Sequence, residues 1–109
     1  MIGSEQFKLM KNSAIFINGS RGKNIDEKAL YSSLIDKDIL AAAIDVFENE
    51  PVDPNNPLLT LDNLISLPHI GAATKENELA MSKLAKSNLI AGLEGRTPPN
   101  LINHDVIND

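Results

Sequence analysis

The sequence predicts an α/β fold in which about three parallel strands form one sheet with flanking helices. Three short apolar runs, at residues 14–17, 41–47 and 64–67, are each bounded by turn-forming or polar residues. Continuous runs of this kind are typical of strands buried on both faces of a parallel sheet. A helix-like segment separates the first two runs and another follows the third. This order indicates a parallel sheet with right-handed crossovers.

The opening segment predicts the end of a helix, followed by the first strand. Phe7 and Met10 are three residues apart, as on one face of a helix that ends near residue 11. The apolar run 14–17 then stops at residues 18–22, where two glycines predict a tight loop.

The next helix is predicted to begin after Asp26, a residue type that caps helix amino termini well, and to end near Lys37 or Asp38. Its buried stripe is predicted to be Ala29, Leu30 and Leu34. The second strand, residues 41–47, contains a single charge, Asp45. A carboxylate inside an apolar strand needs hydrogen-bond donors or a charged partner.

Residues 48–63 carry three prolines and are predicted to form a loop without regular structure. Such long irregular connections are uncommon in compact domains, and functional loops are among the exceptions. After the third strand, a long helix is predicted to begin at Thr74 and to end before Gly95, leaving residues 95–109 as a polar tail. The predicted buried stripe of this helix is Met81, Leu84, Ala85, Leu89 and Leu93.

The composition argues against several classes of protein. A net charge of −5 does not favour an electrostatic grip on nucleic acid. No run of about 18 apolar residues and no signal-peptide pattern is present, so a membrane protein is not expected. With no cysteines and only two histidines, disulfides and metal sites are not expected either. Together these features favour a cytoplasmic location.

Chemically capable side chains follow each predicted strand. The first strand leads to Arg21, the second to Asp45 and Glu50, and the third to His69. Because ligands of open parallel sheets bind beyond the carboxyl ends of the strands, we expect these groups along one edge of the sheet. Each has a plainer interpretation by itself: a solvated loop arginine, a carboxylate that binds backbone amides of the next loop, a surface turn and a structural histidine. The set favours a site.

This set suits a reaction on a small anionic carbonyl compound. The planar guanidinium of Arg21 can hold a carboxylate through two parallel hydrogen bonds. His69 can donate or accept the proton at the carbonyl or hydroxyl oxygen near neutral pH. Glu50, if it were hydrogen-bonded to that ring, would fix its tautomer and favour its charged form. The second histidine, His104, lies in the polar tail and is given no role.

An ordered series of short motifs, between about residues 7 and 103, resembles the D-isomer-specific 2-hydroxyacid dehydrogenases. This family includes glyoxylate/hydroxypyruvate reductases, phosphoglycerate dehydrogenases and D-lactate dehydrogenases. No single motif is specific, but their order and spacing are. The motifs are Met10-Lys11, residues 14–22 (AIFINGSRG), 26–30 (DEKAL), 43–47 (AIDVF), Glu50-Pro51, 57–59 (PLL) and 68–74 (PHIGAAT).

The resemblance implies a partial Rossmann-like, doubly wound parallel sheet, and hydride transfer between NAD or NADP and a D-2-hydroxy acid or 2-keto acid. It implies that Arg21 orients the substrate, that His69 transfers the proton and that Glu50 supports His69. Asp45 would meet the nicotinamide carboxamide. Residues 1–94 would be the carboxyl-terminal half of a dinucleotide-binding domain, and residues 95–109 a polar carboxyl-terminal tail. The residues implied to touch the cofactor are Gly19, Ser20, Arg21, Asp45, His69, Ile70, Gly71 and Ala72.

The sequence departs from the family in length and in one motif. Family members are about three times longer and carry a glycine-rich phosphate loop, whereas no G-x-G-x-x-G occurs in these 109 residues. We therefore expect the carboxyl-terminal part of an enzyme, inactive alone, that forms a homo-oligomer or associates with its amino-terminal part. An open apolar edge at strand 14–17 would make it marginally stable or prone to dimerise. Two alternatives stay open: a non-catalytic interaction module without cofactor, and a small nucleotide binder that uses only nicotinamide-side contacts.

Overall fold

Three parallel strands and two helices build the first of two structural units. The computed structural model describes residues 1–107, with one unit formed by Met1–Gly71 and the other beginning at Ala72. The strands pair in the order β1-β2-β3, all parallel, which confirms the predicted fold class. The helices and strands are α1 (Ser4–Lys8), β1 (Ile15–Asn18), α2 (Glu27–Ile35), β2 (Ala41–Ile44), β3 (Leu64–Ser66) and α3 (Lys75–Leu93).

The register of the sheet places the carboxyl ends of the three strands in one row. Asn18 at the end of β1 is paired with Ile44 at the end of β2, and Ile44 is paired with Ser66 at the end of β3. The loops that follow these strands therefore leave the sheet side by side, as parallel pairing requires. This row positions the candidate site.

Helix α2 forms where the sequence predicts it and packs on one face of the sheet. The Asp26 side chain caps its amino terminus by accepting hydrogen bonds from the backbone amides of Lys28 and Ala29 at 2.9 and 3.1 Å. The predicted stripe of Ala29, Leu30 and Leu34 is buried. These side chains share a core with Ala42 and Ile44 of β2. The helix ends at Ile35, slightly before the predicted end.

Helix α1 belongs to the same core. It spans Ser4–Lys8, so it ends earlier than the predicted residue 11. Its Phe7 is fully buried and meets Phe16 of β1 edge to face, with ring centroids 5.2 Å apart. Both helices of the first unit thus cover the face that carries Phe16, Ala42 and Ile44.

The opposite face of the sheet is exposed in the first unit, so the prediction that the strands are buried on both faces is wrong for Met1–Gly71. Ile15 and Ile17 of β1 are 60% and 73% exposed, and Ile65 of β3 is 65% exposed. Both helices of this unit contribute to one core, which leaves the second face without a covering layer within Met1–Gly71.

The second crossover contains more regular structure than predicted. Strand β2 ends at Ile44, so Asp45 lies just beyond the strand and not inside it. Within the predicted loop 48–63, Pro57–Thr60 form a short 3₁₀ helix. The Asn56 side chain caps it by accepting a hydrogen bond from the Leu58 amide at 3.0 Å, and Leu58 enters the core.

The second unit consists of α3 and the segment that follows it. The Thr74 hydroxyl caps the helix by accepting a hydrogen bond from Asn77 N at 3.2 Å, as predicted. The helix stops before Gly95, which adopts a left-handed φ of 67°. Asn88 pairs with Asn100 through two hydrogen bonds, so the following segment folds back on the helix.

The predicted buried stripe of α3 is wrong for the described residues. Met81, Leu84, Leu89 and Leu93 are between 49% and 79% exposed, and Ala85 is exposed as well. Ala91 is the buried residue of this helix. Across residues 1–107, no helix has the length and apolar character needed to cross a membrane.

Candidate active site

The loops that leave the three strand ends bring the predicted site residues to one edge of the sheet. Arg21 follows β1, Asp45 and Glu50 follow β2, and His69 follows β3. All four lie in the first structural unit.

Glu50 and His69 are in direct contact. The Nδ1 atom of His69 lies 2.8 Å from Oε2 of Glu50, and the two side chains are 48% and 39% exposed. An ionised carboxylate can only accept a hydrogen bond, so the bonding proton resides on Nδ1. The other ring nitrogen, Nε2, is then available to a substrate oxygen. This is the arrangement of an oriented acid–base histidine.

A second hydrogen bond fixes the Glu50 carboxylate from the other side. Its Oε1 atom accepts from the backbone amide of Phe47 at 3.0 Å. The hydrogen bond from His69, and after it the one from the Phe47 amide, hold the pKa of Glu50 below its ordinary value. The charge of Arg21 also lowers this pKa, which brings the arginine into the electrostatic environment of the pair. Glu50 is therefore ionised at neutral pH.

Asp45 organises the loop that carries His69. Its two carboxylate oxygens accept hydrogen bonds from the backbone amides of Ile70 and Gly71 at 2.8 and 2.7 Å. The Ile70 amide is the main cause of a lowered Asp45 pKa. A Cβ atom at Gly71 would lie 2.9 Å from the same carboxylate, so glycine permits this close approach. The plainer interpretation of Asp45, a ligand of backbone amides in the next loop, is confirmed.

The Arg21 loop is held by Asn18, a residue that the sequence analysis missed. The Asn18 side chain is buried, and its Oδ1 accepts from the amide and the hydroxyl of Ser20 at 3.1 and 2.9 Å. Its Nδ2 donates to the carbonyl of Arg21 at 3.0 Å. A polar residue at the end of an apolar strand, directly before a turn, was the available signal.

The guanidinium of Arg21 is exposed and donates to the neighbouring Ser20 carbonyl at 2.7 Å. Most of its five donors remain available, including the pair that can hold a carboxylate. The structure thus brings Glu50 and His69 into contact, with Arg21 near enough to act on Glu50 through its charge.

His69 has an unusual backbone conformation that sequence reasoning did not predict. Its φ is 56°, in the left-handed region that most side chains avoid. Histidine is one of the residue types that enter this region more readily, and strained backbone often occurs at functional sites. Here it turns the chain sharply between Pro68 and the amides that Asp45 binds.

An open apolar cavity of about 610 Å³ lies beside the Glu50–His69 pair. This volume is within the range of small-molecule sites, and a mainly apolar wall with a few polar groups is typical of them. The polar groups of its wall include Asp45, Glu50 and His69. The apolar residues that line it are Phe47, Pro51, Val52, Leu59, Leu67 and Pro68.

The structure gives less support to the other residues that the resemblance implies touch a cofactor. Gly19 and Ser20 are exposed, and a Cβ atom at Gly19 would meet nothing within 4 Å. The amides of Ile70 and Gly71 already donate to Asp45. Ala72 belongs to the second unit.

Comparisons with known proteins give the chain a family. Residues 1–71 match the model of the D-isomer specific 2-hydroxyacid dehydrogenase, NAD binding domain. The chain is 47% identical to a glyoxylate reductase of Korarchaeum cryptofilum over 107 residues, covering 98% of this chain and 32% of that protein. It is 50% identical to glyoxylate/hydroxypyruvate reductase B of Escherichia fergusonii over 106 residues, covering 97% of this chain and 33% of that protein.

A solved structure supports the same assignment. The TT0316 protein from Thermus thermophilus superimposes with a TM-score of 0.83 at 39% identity, covering 92% of this chain and 32% of that one. The chain spans about a third of the length of the curated relatives it matches. It belongs to the D-isomer specific 2-hydroxyacid dehydrogenase family.

Proposed function

We propose that this chain supplies the proton-transfer and substrate-orienting groups of an oxidoreductase that moves a hydride between NAD or NADP and a D-2-hydroxy acid or 2-keto acid. The single observation that carries the proposal is the 2.8 Å contact between His69 Nδ1 and Glu50 Oε2 at the carboxyl edge of the sheet. The names of the relatives favour glyoxylate and hydroxypyruvate as substrates.

Each polar group has one part in the reaction. Arg21 binds the substrate carboxylate with its planar fork and turns the adjacent carbonyl toward His69. His69 gives the proton from Nε2 to the carbonyl oxygen during reduction and takes it back during oxidation. Glu50, held by the Phe47 amide, keeps the ring in one orientation through its hydrogen bond to Nδ1.

The exposed surface around Gly19, Ser20, Asp45 and Gly71 would hold the nicotinamide end of the cofactor. Gly19 leaves open space above the end of β1, which fits the close approach of a flat ring. When bound, the dinucleotide supplies the hydride donor or acceptor. These 109 residues contain no G-x-G-x-x-G motif for the pyrophosphate, so cofactor affinity would depend on residues outside them.

Three further assignments belong to the same proposal. Residues 1–94 form the carboxyl-terminal half of the dinucleotide-binding domain, with residues 95–109 as a tail. The chain works as a homo-oligomer or in association with an amino-terminal part, and the exposed apolar face of Ile15, Ile17 and Ile65 supports an additional covering layer. The composition favours the cytoplasm.

A hybrid enzyme tests the function. The 109 residues would replace the matching third of a glyoxylate/hydroxypyruvate reductase B, and oxidation of NADH and NADPH would be followed with glyoxylate and hydroxypyruvate. We expect turnover with at least one pair. In this hybrid, Arg21→Lys should lower kcat/KM about tenfold or more, mainly through KM, because hydrogen bonds to charged groups contribute about 1.5–3 kcal/mol.

Lys23→Arg is the matched control, because Lys23 lies in the same loop and is also an exposed cation. It should leave kcat/KM close to that of the parent hybrid. A folded hybrid that binds cofactor but reduces neither keto acid would contradict the proposal. An Arg21→Lys hybrid with unchanged kinetics would remove Arg21 from substrate binding.

A further inference from the structure

The loop that carries Glu50 is tied to helix α2 by one carboxylate. The side chain of Glu27, in the first turn of α2, accepts a hydrogen bond from the backbone amide of Glu48 through Oε1. Its Oε2 accepts from Nδ2 of Asn56 at 2.9 Å. Glu48 and Asn56 flank Glu50 in the sequence, so both sides of the loop are held by the same group.

The same loop is also pressed against the loop of Arg21. A Cβ atom at Gly22 would lie 1.9 Å from the carbonyl oxygen of Phe47, so the backbones of the two loops are in close contact there. The amide of Phe47 is the donor that fixes Glu50 Oε1. Movement of residues 47–48 would therefore displace the Glu50 carboxylate and change its position relative to Arg21.

We propose that Glu27 is a positioning residue for the Glu50–His69 pair. By holding Glu48 and Asn56 together, it fixes the backbone from which the Phe47 amide and the Glu50 side chain reach each other. Glu27 touches neither substrate nor cofactor in this account. The inference rests on the proposed function for its consequence in catalysis, although the structural coupling can be measured without turnover.

The chemistry of the contact requires a glutamate. Two donors converge on Glu27, and a carboxylate offers an acceptor oxygen to each. The amide group of Asn56 cannot turn over to compensate, because its oxygen caps the 3₁₀ helix at Leu58 N. Glutamine at position 27 would satisfy one donor and face the other with its own NH₂ group, and alanine would satisfy neither.

The experiment uses the full 109-residue chain labelled with ¹³C-glutamate and ¹⁵N-histidine. The pKa of Glu50 is read from its carboxyl resonance, which is identified by its loss in Glu50→Gln. The ring ¹⁵N shifts of His69 at neutral pH report which nitrogen carries the proton, with His104 as an internal reference. The variants are Glu27→Ala and Glu27→Gln. The control is Asp26→Ala, which removes the cap of the same helix; the Asp26 carboxylate accepts its hydrogen bonds from Lys28 and Ala29 of that helix.

We expect the pKa of Glu50 to rise toward its ordinary value of 4.5 in Glu27→Ala, and the ¹⁵N signal of His69 Nδ1 to show loss of its hydrogen bond to Glu50. Glu27→Gln should give a smaller change of the same sign, and it decides the question if the alanine variant unfolds. Asp26→Ala should lower the unfolding midpoint while leaving both signals unchanged. Wild-type signals in folded glutamate variants would overturn the proposal, and so would equal changes in the control.

Catalysis supplies a separate measurement. In the hybrid enzyme, Glu27→Ala should lower kcat more than it raises KM, because the proton-transfer pair is disturbed while Arg21 still binds the carboxylate. A hybrid without any turnover would contradict the proposed function, yet the spectroscopic result would still decide the role of Glu27. An active hybrid combined with unchanged Glu50 and His69 signals would contradict the role of Glu27 alone.

Discussion

Two carboxylates at the edge of the sheet remain ionised because neighbouring groups donate hydrogen bonds to them. Asp45 accepts hydrogen bonds from the backbone amides of Ile70 and Gly71. Glu50 accepts hydrogen bonds from the His69 ring and from the Phe47 amide. Each hydrogen bond favours the charged form, so both pKa values are lowered in the folded protein. These contacts also make the stability of the fold depend on pH.

The stability should fall in acid. Between the lowered pKa of the folded state and the ordinary values of 3.8 for Asp45 and 4.5 for Glu50, the unfolded chain binds more protons than the folded one. The free energy of unfolding therefore rises with pH in this window. The contribution of the two carboxylates is fully present above the window and is lost as pH falls through their lowered pKa values. Urea unfolding from about pH 7 to about pH 3 measures this dependence.

The contribution of Asp45 can be isolated with Asp45→Asn. This variant cannot titrate at that position, and its NH₂ group opposes one of the two amides. We expect lower stability at neutral pH and a flatter pH dependence than in the wild type. Coincident curves for the two proteins would show that the Asp45 contacts do not stabilise the fold.

The proximity of these residues could be predicted from the sequence, but their anchoring could not. Polar residues after each apolar run, together with parallel pairing, place Arg21, Glu50 and His69 at one edge. The roles of Asn18 and Glu27 depend on loop conformations that no periodicity encodes. Asp45 was expected inside a strand because residues 41–47 are apolar around it, yet β2 ends at Ile44 and the Asp45 carboxylate turns to the next loop.

At the scale of elements, the contact between the loops after β1 and β2 decides how Arg21 and Glu50 are arranged. Gly22 is buried, and its place is set by the nearby backbone of Phe47 and Glu48, from which a Cβ atom would be 1.9 to 2.4 Å away. Backbone atoms cannot move aside as the end of a flexible side chain can. A side chain at position 22 must therefore push the two loops apart.

Gly22→Ala should lower the free energy of unfolding by about 1–3 kcal/mol or more, the usual cost of overpacking. Gly19→Ala is the matched control, since the added Cβ would meet nothing within 4 Å, and it should change stability by less than about 0.5 kcal/mol. Chemical denaturation of both variants measures the difference. Equal stabilities for the two variants would show that the loops are not in the close contact described.

The elements themselves were predictable where local signals were strong. Asp26 and Thr74 begin α2 and α3 as their capping residues predict. The exposure of the predicted stripe of α3 could not be foreseen from the sequence, because helical spacing shows which residues share a face and not whether anything covers that face. The 3₁₀ helix Pro57–Thr60 was missed because its cap, Asn56, lies within a proline-rich segment.

At the scale of the whole molecule, the chain provides one well-packed face of a parallel sheet and one edge that carries the candidate active site. The core lies between the sheet and helices α1 and α2, while Ile15, Ile17 and Ile65 remain exposed on the other face. An apolar strand is compatible with one or two covering layers, and the sequence of the strand does not distinguish them. The edge does not depend on that second layer, because the strand ends and their loops are fixed within Met1–Gly71.

The central claim is that His69, oriented by Glu50, transfers the proton of the reaction. Turnover of the hybrid enzyme with His69→Ala tests it most directly, with His104→Ala as the control at the other histidine of the chain. We predict that His69→Ala lowers kcat by about two to four orders of magnitude, the usual contribution of an acid–base group, and that His104→Ala has little effect. A folded, cofactor-binding His69→Ala hybrid with near-parental kcat would contradict the account.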